Sequence, residues 1–242
     1  MSSKETAIIP ELGLVKAWSY STLKAYEKCP QQIYLTKVKK LSKDIEPSAA
    51  LLKGIAVHAA AEQYVDGTNR GDLPKSLSNF SVGFRELARA FDDGDVEVEG
   101  EWAFTVAWEN TGYFARDCWV RFKLDAIVKE SDTSFRVIDY KTGRSFGNEL
   151  EHQSQLMLYA VAVFHKHPEA QFVDAEIWYL DDSSGHKLQK SYTREIAMGF
   201  KANWVKRGLK MTQATEFPPK PSKFNCRWCD HRKSGVCEDA VD

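Results

Sequence analysis

Alternating hydrophobic and polar positions predict two adjacent strands in the middle of the chain. In the segment 119–130 (WVRFKLDAIVKE), every second residue is hydrophobic and these residues share one face: Val120, Phe122, Leu124, Ala126 and Val128. Asp125 lies in the middle of the other face, where an acid is unfavourable unless it has a function. The next run, 134–141, ends with Asp139 and Lys141, which share a face because strand side chains alternate.

Further periodic segments surround these strands. The pattern predicts a helix that ends at Glu27 after a cap at Ser19 or Ser21, a helix from Pro30 to about Val38, helices near 50–66, 74–91, 149–166 and 193–210, and strands near 95–109 and 171–180. We therefore expect an α/β fold in which helices surround one sheet.

Composition divides the chain into three expected segments. Residues 1–17 are predicted to be a flexible arm, because Pro10 and Gly13 disfavour regular structure. Residues 18–215 hold the predicted core. Residues 216–242 start with several prolines and carry three cysteines, so we expect a loop-rich segment that is ordered by a bound metal.

Asp125, Asp139 and Lys141 form a combination typical of metal-assisted phosphodiester hydrolysis. Two carboxylates on neighbouring strands can hold a divalent metal beside a phosphate, while an ammonium positions the attacking water. An Asp-x-Lys triplet alone is more often a solvated face that forms salt bridges. The hypothesis therefore needs support from other segments.

Two predicted helices carry polar side chains that fit beside such a site. Gly54 opens a helix on which His58 can face the sheet edge as a nitrogen ligand. Gln155 and Tyr159 lie four residues apart on an apolar helix, and so share one face. Each of these is more often an ordinary helix residue, and only their combination with the acids favours a site.

The cysteines indicate a second, soft-metal site. Cys226, Cys229 and Cys237 are close in sequence, and Cys29 is the candidate fourth ligand. This spacing, without a signal peptide, is typical of a zinc or iron–sulfur site and not of a disulfide framework. His231 is a rival fourth ligand, which would complete a Cys3His zinc site. Cys118 is expected to be a small buried hydrophobic residue.

Taken in order, these motifs resemble one family. They are SYSTLKAYEKCP at 19–30, Gly54-x3-His58, Asp125, Asp139-x-Lys141, Gln155-x3-Tyr159 and Cys226-x2-Cys229-x7-Cys237. The chain is similar to the RecB-like branch of the PD-(D/E)xK nucleases, and within it to members with a four-cysteine iron–sulfur cluster, such as the AddB nuclease domain and the CRISPR adaptation nucleases. The resemblance runs from about Trp18 to Cys237. Leu124 replaces the proline of the family name, and Phe122 replaces a frequent glycine.

The resemblance implies a restriction-endonuclease-like core with a central mixed sheet, and a cysteine-bound cluster that joins the N- and C-terminal segments. It implies four ligands for Mg²⁺ or Mn²⁺: His58, Asp125, Asp139 and the backbone carbonyl of Tyr140. Lys141 would orient and activate the water, and Gln155 and Tyr159 would support the site and contact DNA. A [4Fe-4S] cluster would be bound by Cys29, Cys226, Cys229 and Cys237.

Charge is segregated along the chain. The 242 residues carry a formal net charge of -1, so any contact with DNA must be local. Residues 92–101 are acidic, whereas 201–233 hold nine Lys or Arg against two acids. A stretch of charged residues usually forms solvated surface, but this basic stretch flanks the cysteines. It predicts a phosphate-binding surface formed by Lys220, Lys223, Arg227 and Lys233.

Together these features predict a metal-dependent DNA exonuclease that acts at DNA ends in recombination, repair or replication-linked processing. Its small size suggests a phage enzyme that works with a recombinase or annealing protein. No membrane span, signal peptide or ATP-binding P-loop is evident, so we expect a cytoplasmic protein that does not use ATP. The alternatives are a catalytically inactive iron–sulfur or zinc DNA-binding module and, less favoured, an electron-transfer protein.

Overall fold

The computed structural model describes residues 11–41, 46–143 and 146–242. The helices are α1 (Tyr20–Lys28), α2 (Pro30–Ile33, continued by a π-helical turn at Tyr34–Val38), α3 (Ala49–Val65), α4 (Ser81–Asp92, preceded by a 3-10 helix at Lys75–Phe80), α5 (Glu149–Lys166), α6 (Arg194–Thr212), α7 (Lys223–Cys226) and α8 (Asp230–Lys233). The strands are β1 (Val96–Phe104), β2 (Asn110–Thr111), β3 (Val120–Lys129), β4 (Ser134–Lys141), β5 (Phe172–Tyr179) and β6 (Lys187–Thr193). Within the described ranges, no helix is long and apolar enough to cross a membrane.

The strands form one sheet in the order β2-β1-β3-β4-β5-β6. β3 and β4 are antiparallel, β5 is parallel to β4, and β6 is antiparallel to β5. A parallel neighbour requires a crossover connection, and α5 supplies it between β4 and β5. The prediction of an α/β fold with a mixed sheet flanked by helices is therefore confirmed.

The chain divides into two compact units, which are described separately. The central unit holds residues 47–102 and 122–202, and the terminal unit holds residues 1–46, 103–121 and 203–242. Of the predicted arm, residues 1–10 lie outside the described ranges. Residues 11–17 form no helix or strand, and the backbone N–H of Gly13 donates to the carbonyl of Thr212 at 2.6 Å.

In the central unit, α3 and α4 cover one face of the sheet. The buried cluster between them includes Val57, Ala61, Phe84, Leu87, Ala126, Ile138, Tyr140 and Trp178. Each Val, Leu, Ile or Phe side chain of this cluster contributes roughly 1.5–3 kcal/mol on full burial. Because side chains alternate along β4, Asp139 points to the face opposite Ile138 and Tyr140, where α5 packs.

Helix α5 is fixed in place at its C-terminal end. The guanidinium of Arg194 donates to the carbonyls of Phe164 at 2.9 Å, His167 at 3.0 Å and Ala170 at 2.7 Å. These carbonyls lie at and beyond the end of the helix, where no intrahelical donor is available, and a cation there also complements the helix dipole. The clamp holds the helix that carries Gln155 and Tyr159.

In the terminal unit, three tryptophans pack around a glycine of α6. The rings of Trp18 and Trp119 meet edge to face at 5.4 Å, and Trp18 stacks on Trp204 at 6.5 Å. A Cβ atom at Gly208 would lie 2.6 Å from Nε1 of Trp18, so only glycine allows this close approach. On α1, Glu27 accepts two hydrogen bonds from Arg207, at 2.7 and 2.8 Å, which ties the two ends of the chain together.

Several elements differ from the predicted ones. β6 was not predicted, because Lys187–Thr193 is a mostly exposed edge strand without alternating hydrophobic residues. The strand expected at 95–109 ends at Phe104, and Trp108 adopts a left-handed backbone at φ 64° in the turn before β2. The C-terminal segment contains two single-turn helices, α7 and α8, in addition to loops.

Candidate metal centre

Asp125 lies in β3 and is held by two donors in the central unit. One carboxylate oxygen lies 2.9 Å from Nδ1 of His58 on α3, and the other accepts the backbone N–H of Tyr140 at 2.6 Å. Asp125 is only 9% exposed, so both contacts are shielded from bulk water. The side chains of two predicted ligands, His58 and Asp125, therefore lie together, next to the backbone N–H of Tyr140.

Asp139 is held from the opposite side by α5. Its Oδ1 atom accepts hydrogen bonds from Nε2 of Gln155 at 2.9 Å and from the hydroxyl of Tyr159 at 3.0 Å. Nε2 of Gln155 also lies 2.6 Å from the Tyr159 hydroxyl, so the two side chains orient each other. The Oδ2 atom is buried and forms an ion pair with Nζ of Lys141 at 2.6 Å.

The charges in this site are strongly coupled. Burial raises the pKa of Asp125, and the hydrogen bond from His58 opposes this rise. For His58, burial alone lowers the pKa, but the hydrogen bond and the charge of Asp125 outweigh it and the pKa is raised. Burial likewise lowers the pKa of Lys141, and the charge of Asp139 reverses that effect. Each carboxylate is thus partnered by a cation or potential cation.

Glu99 is a functional candidate that the sequence did not reveal. Ligand atoms of His58, Glu99 and Asp125 all lie within 4.8 Å of one another. Glu99 has a left-handed backbone, φ 51°, which costs about 1–3 kcal/mol in a non-glycine residue and often occurs at functional sites. The side chain is 16% exposed and forms an ion pair with Lys123 on the neighbouring strand.

The pattern around Glu99 explains why it was missed. Glu97, Glu99 and Glu101 alternate along β1, so they read as one solvated acidic face. The left-handed residue interrupts that alternation, and Glu97 and Glu101 are exposed whereas Glu99 is half-buried. The available signal was Gly100, because a glycine inside a strand often marks a bulge.

These residues fit a divalent cation. Adjacent ligands of an octahedral cation with bonds of about 2.1 Å lie about 3 Å apart. Nδ1 of His58 and the Asp125 carboxylate are joined by a hydrogen bond of 2.9 Å, so the two atoms are close enough to share a cation when Nδ1 carries no proton. Carboxylate oxygens suit Mg²⁺ and Mn²⁺. An open cleft gives access to this group and is also lined by Asp139, Lys141, Gln155 and Tyr159.

The four predicted cluster cysteines line one pocket in the terminal unit. Cys29 follows α1, Cys226 ends α7, Cys229 precedes α8, and Cys237 lies in the C-terminal loop. The backbone N–H of Lys220 donates to the sulfur of Cys29 at 3.4 Å. Backbone hydrogen bonds lower the pKa of Cys226, and the bond from Val241 has the largest effect. Such donors stabilise thiolates, which are the form that binds metals.

Zinc and a four-cysteine cluster would use different ligands here, since zinc could take His231 as its fourth ligand whereas a cluster needs Cys29. The rival ligand His231 also lines the pocket, but its Nε2 lies 2.8 Å from the hydroxyl of Thr36. Cys118 is buried, and its sulfur accepts a hydrogen bond from Arg121 at 3.3 Å.

The four predicted phosphate-binding residues lie in the terminal unit near the cysteines. Nζ of Lys220 donates to the carbonyl of Glu27 at 3.1 Å, so this side chain also has a structural contact. Lys223 begins α7 and is exposed. Arg227 and Lys233 both approach the ring of Trp228, at 5.0 and 5.7 Å from its centroid.

The mixed sheet, the buried acids and the neighbouring lysine define a nuclease-type site, and comparison with known proteins gives the family. The model of the PD-(D/E)XK nuclease superfamily matches residues 17–106 and 84–237. The chain therefore belongs to the PD-(D/E)XK nuclease superfamily.

Solved structures resemble the chain at low sequence identity. The crystal structure of SSO0001 matches with a TM-score of 0.52 and 16% identity, over 96% of this chain and 90% of that one, which shows a shared fold. A protein from Eubacterium rectale, named as a presumptive exonuclease, matches with a TM-score of 0.48 and 14% identity over 94% and 91% of the two chains. A search of curated proteins gave no match.

Proposed function

We propose that this chain is a metal-dependent DNA nuclease, and specifically an exonuclease that acts at DNA ends. The observation that carries the proposal is the convergence of two buried carboxylates, the imidazole of His58 and the ammonium of Lys141 in one open cleft. Membership of the superfamily supports the same chemistry. Recombination, repair or replication-linked processing, in a phage and with a recombinase or annealing protein as partner, is the setting that we propose for it.

The residues of the cleft have distinct roles in this proposal. His58, Asp125, Asp139 and the carbonyl of Tyr140 would hold Mg²⁺ or Mn²⁺, with Glu99 as a further candidate ligand. When bound, the cation would supply Lewis-acid polarisation of the phosphate.

The chain's own groups act on the water and on the carboxylates. The ammonium of Lys141 positions the attacking water and stabilises negative charge that develops on the phosphate oxygens. The water oxygen forms the new bond to phosphorus and loses a proton to solvent, the bond between phosphorus and the leaving sugar oxygen breaks, and that oxygen takes a proton from solvent. Gln155 and Tyr159 fix the orientation of Asp139 through Oδ1, while Oδ2 pairs with the ammonium of Lys141.

We also propose that Cys29, Cys226, Cys229 and Cys237 bind a [4Fe-4S] cluster and that the protein belongs to the RecB-like iron–sulfur branch. The four cysteines line one pocket, which supports a shared site, and the contacts of both chain ends with this pocket support a structural role. Because the ligands come from both ends of the chain, binding closes a long loop and stabilises the C-terminal segment.

A DNA digestion assay tests the catalytic proposal. End-labelled linear single-stranded and duplex DNA, and covalently closed circles, are incubated with the full chain and Mg²⁺ or Mn²⁺, with a chelator control. We expect mononucleotides or short products from linear DNA and intact circles. Cleavage of circles at the same rate would make the enzyme an endonuclease. Binding of DNA without any cleavage would favour the alternative, an inactive iron–sulfur or zinc DNA-binding module.

A further inference from the structure

Two large aromatic rings of the terminal unit are exposed next to the cysteines. Phe224 is 82% exposed and Trp228 is 67% exposed. They alternate with the ligand candidates, because Phe224 precedes Cys226 and Trp228 lies between Cys226 and Cys229. Single exposed apolar residues are common, but two large exposed rings only four positions apart in sequence are candidates for a shared binding function.

Each ring has a cation close to it. Nζ of Lys28 lies 5.7 Å from the centroid of Phe224. The guanidinium carbon of Arg227 lies 5.0 Å from the centroid of Trp228, and Nζ of Lys233 lies 5.7 Å from it. These are cation–π distances. The high exposure of both rings shows that the cations leave much of each ring surface uncovered.

The positive charge of this surface is only partly neutralised by the protein. Lys233 lies 3.4 Å from a carboxylate oxygen of Asp230. Among the described residues, neither Lys223 nor Arg227 forms an ion pair with a carboxylate. An apolar protein partner would require rings but no such cations, whereas a ligand with flat apolar faces and regularly spaced anions requires both.

We propose that this surface, defined by Phe224, Trp228 and the cations Lys28, Arg227 and Lys233, binds single-stranded DNA. Unpaired bases stack on the two rings, and the adjacent phosphates contact the cations. A duplex does not satisfy this arrangement, because its base faces are already stacked inside the helix. The inference rests on the proposed action on DNA and adds the substrate class: a strand whose bases are unpaired at the point of contact.

The test compares single-stranded and duplex binding in ring variants. Fluorescence anisotropy is measured with a labelled oligothymidylate and with a duplex of equal length, without added divalent cation so that no cleavage occurs. We expect Phe224→Ala and Trp228→Ala each to weaken single-strand binding about 10-fold. This loss lies within the free energy of about 1–3 kcal/mol that stacking of one base on an aromatic ring contributes. Duplex binding and the salt dependence should be unchanged, because no phosphate contact is removed.

Matched variants separate stacking from other effects. Trp228→Phe retains a ring and should retain most of the affinity, and Phe172→Ala, an exposed phenylalanine in β5, should have no effect. Equal loss of single-strand and duplex binding would overturn the proposal. Unchanged single-strand binding in both alanine variants would also overturn it and would assign the surface to another partner.

Cleavage is measured separately, with metal added. If the wild type never cleaves DNA but the alanine variants lose single-strand affinity, the catalytic proposal is contradicted and the single-strand binding proposal is retained.

Discussion

The left-handed backbone of Glu99 allows strain and ligand function to be separated by two substitutions. Glu99→Ala removes the carboxylate but keeps a Cβ atom, whereas Glu99→Gly removes both. A left-handed conformation costs an L-residue roughly 1–2 kcal/mol that glycine does not pay. Glycine in turn loses about 0.5–1 kcal/mol of backbone entropy relative to alanine. The glycine variant should therefore be more stable than the alanine variant by about 0.75 kcal/mol at the middle of both ranges, and by about 1.5 kcal/mol at most.

The ion pair with Lys123 does not affect this comparison. Both variants lose it, and because Lys123 is 58% exposed, such a pair contributes at most about 1 kcal/mol. For a chain of this length, a difference of about 1 kcal/mol corresponds to about 2–4 °C in Tm. We expect this difference in urea and thermal unfolding of metal-free protein. An alanine variant that is as stable as the glycine variant would refute the strain at this position.

The same two variants also test the ligand role. Both should bind Mn²⁺ more weakly than the wild type and to a similar extent, because each lacks the carboxylate that lies within 4.8 Å of the His58 and Asp125 ligand atoms. Isothermal titration calorimetry measures this affinity. If Mn²⁺ affinity is unchanged in both variants, Glu99 is not a ligand and its strained backbone has another cause.

Three further substitutions test the other assignments. Lys141→Ala should reduce DNA cleavage by at least about 100-fold, because it removes a transition-state contact, while DNA binding measured by anisotropy stays near wild type; near wild-type cleavage would contradict the assignment. Tyr159→Phe removes one hydrogen bond to Asp139 without creating a cavity, and should lower metal affinity or activity about 10–100-fold. Titration of Mn²⁺ in the cleavage assay would detect this loss. Cys29→Ala should bleach anaerobically purified, brown protein and lower its Tm, whereas a colourless zinc protein that is indifferent to this change would favour the Cys3His site with His231.

The strands and helices of the central unit were predictable because their burial follows simple periods. β3 and β4 alternate, and α5 is long and apolar, so Asp125, Asp139 and Gln155 could be assigned to elements from the sequence. β6 carries no such signal, because its residues are mostly exposed and it does not bury a hydrophobic face. On an exposed edge strand, charged side chains prevent pairing with other chains, and alternating hydrophobic residues are not required. Glu99 depends on one backbone angle, and no pattern of hydrophobicity encodes a single positive φ value.

Contacts between residues far apart in sequence needed the structure. The sequence indicated that His58 and Asp125 could share a metal, but not that they form a direct pair at 2.9 Å. Similarly, the basic character of 201–233 was visible, whereas the exposure of Phe224 and Trp228 was not, since aromatic residues are usually buried.

The hydrogen bond from the Tyr140 amide to Asp125 makes one backbone proton a reporter of this buried carboxylate. The backbone pairs of β3 and β4 extend from Lys129 and Phe135 to Ala126 and Ile138. Beyond them, the Tyr140 N–H donates to the Asp125 side chain at 2.6 Å. Hydrogen exchange at this amide therefore depends on a side chain of the candidate metal site. Its protection factor in the full-length protein, without any substrate, would change when a cation orders or displaces the Asp125 carboxylate.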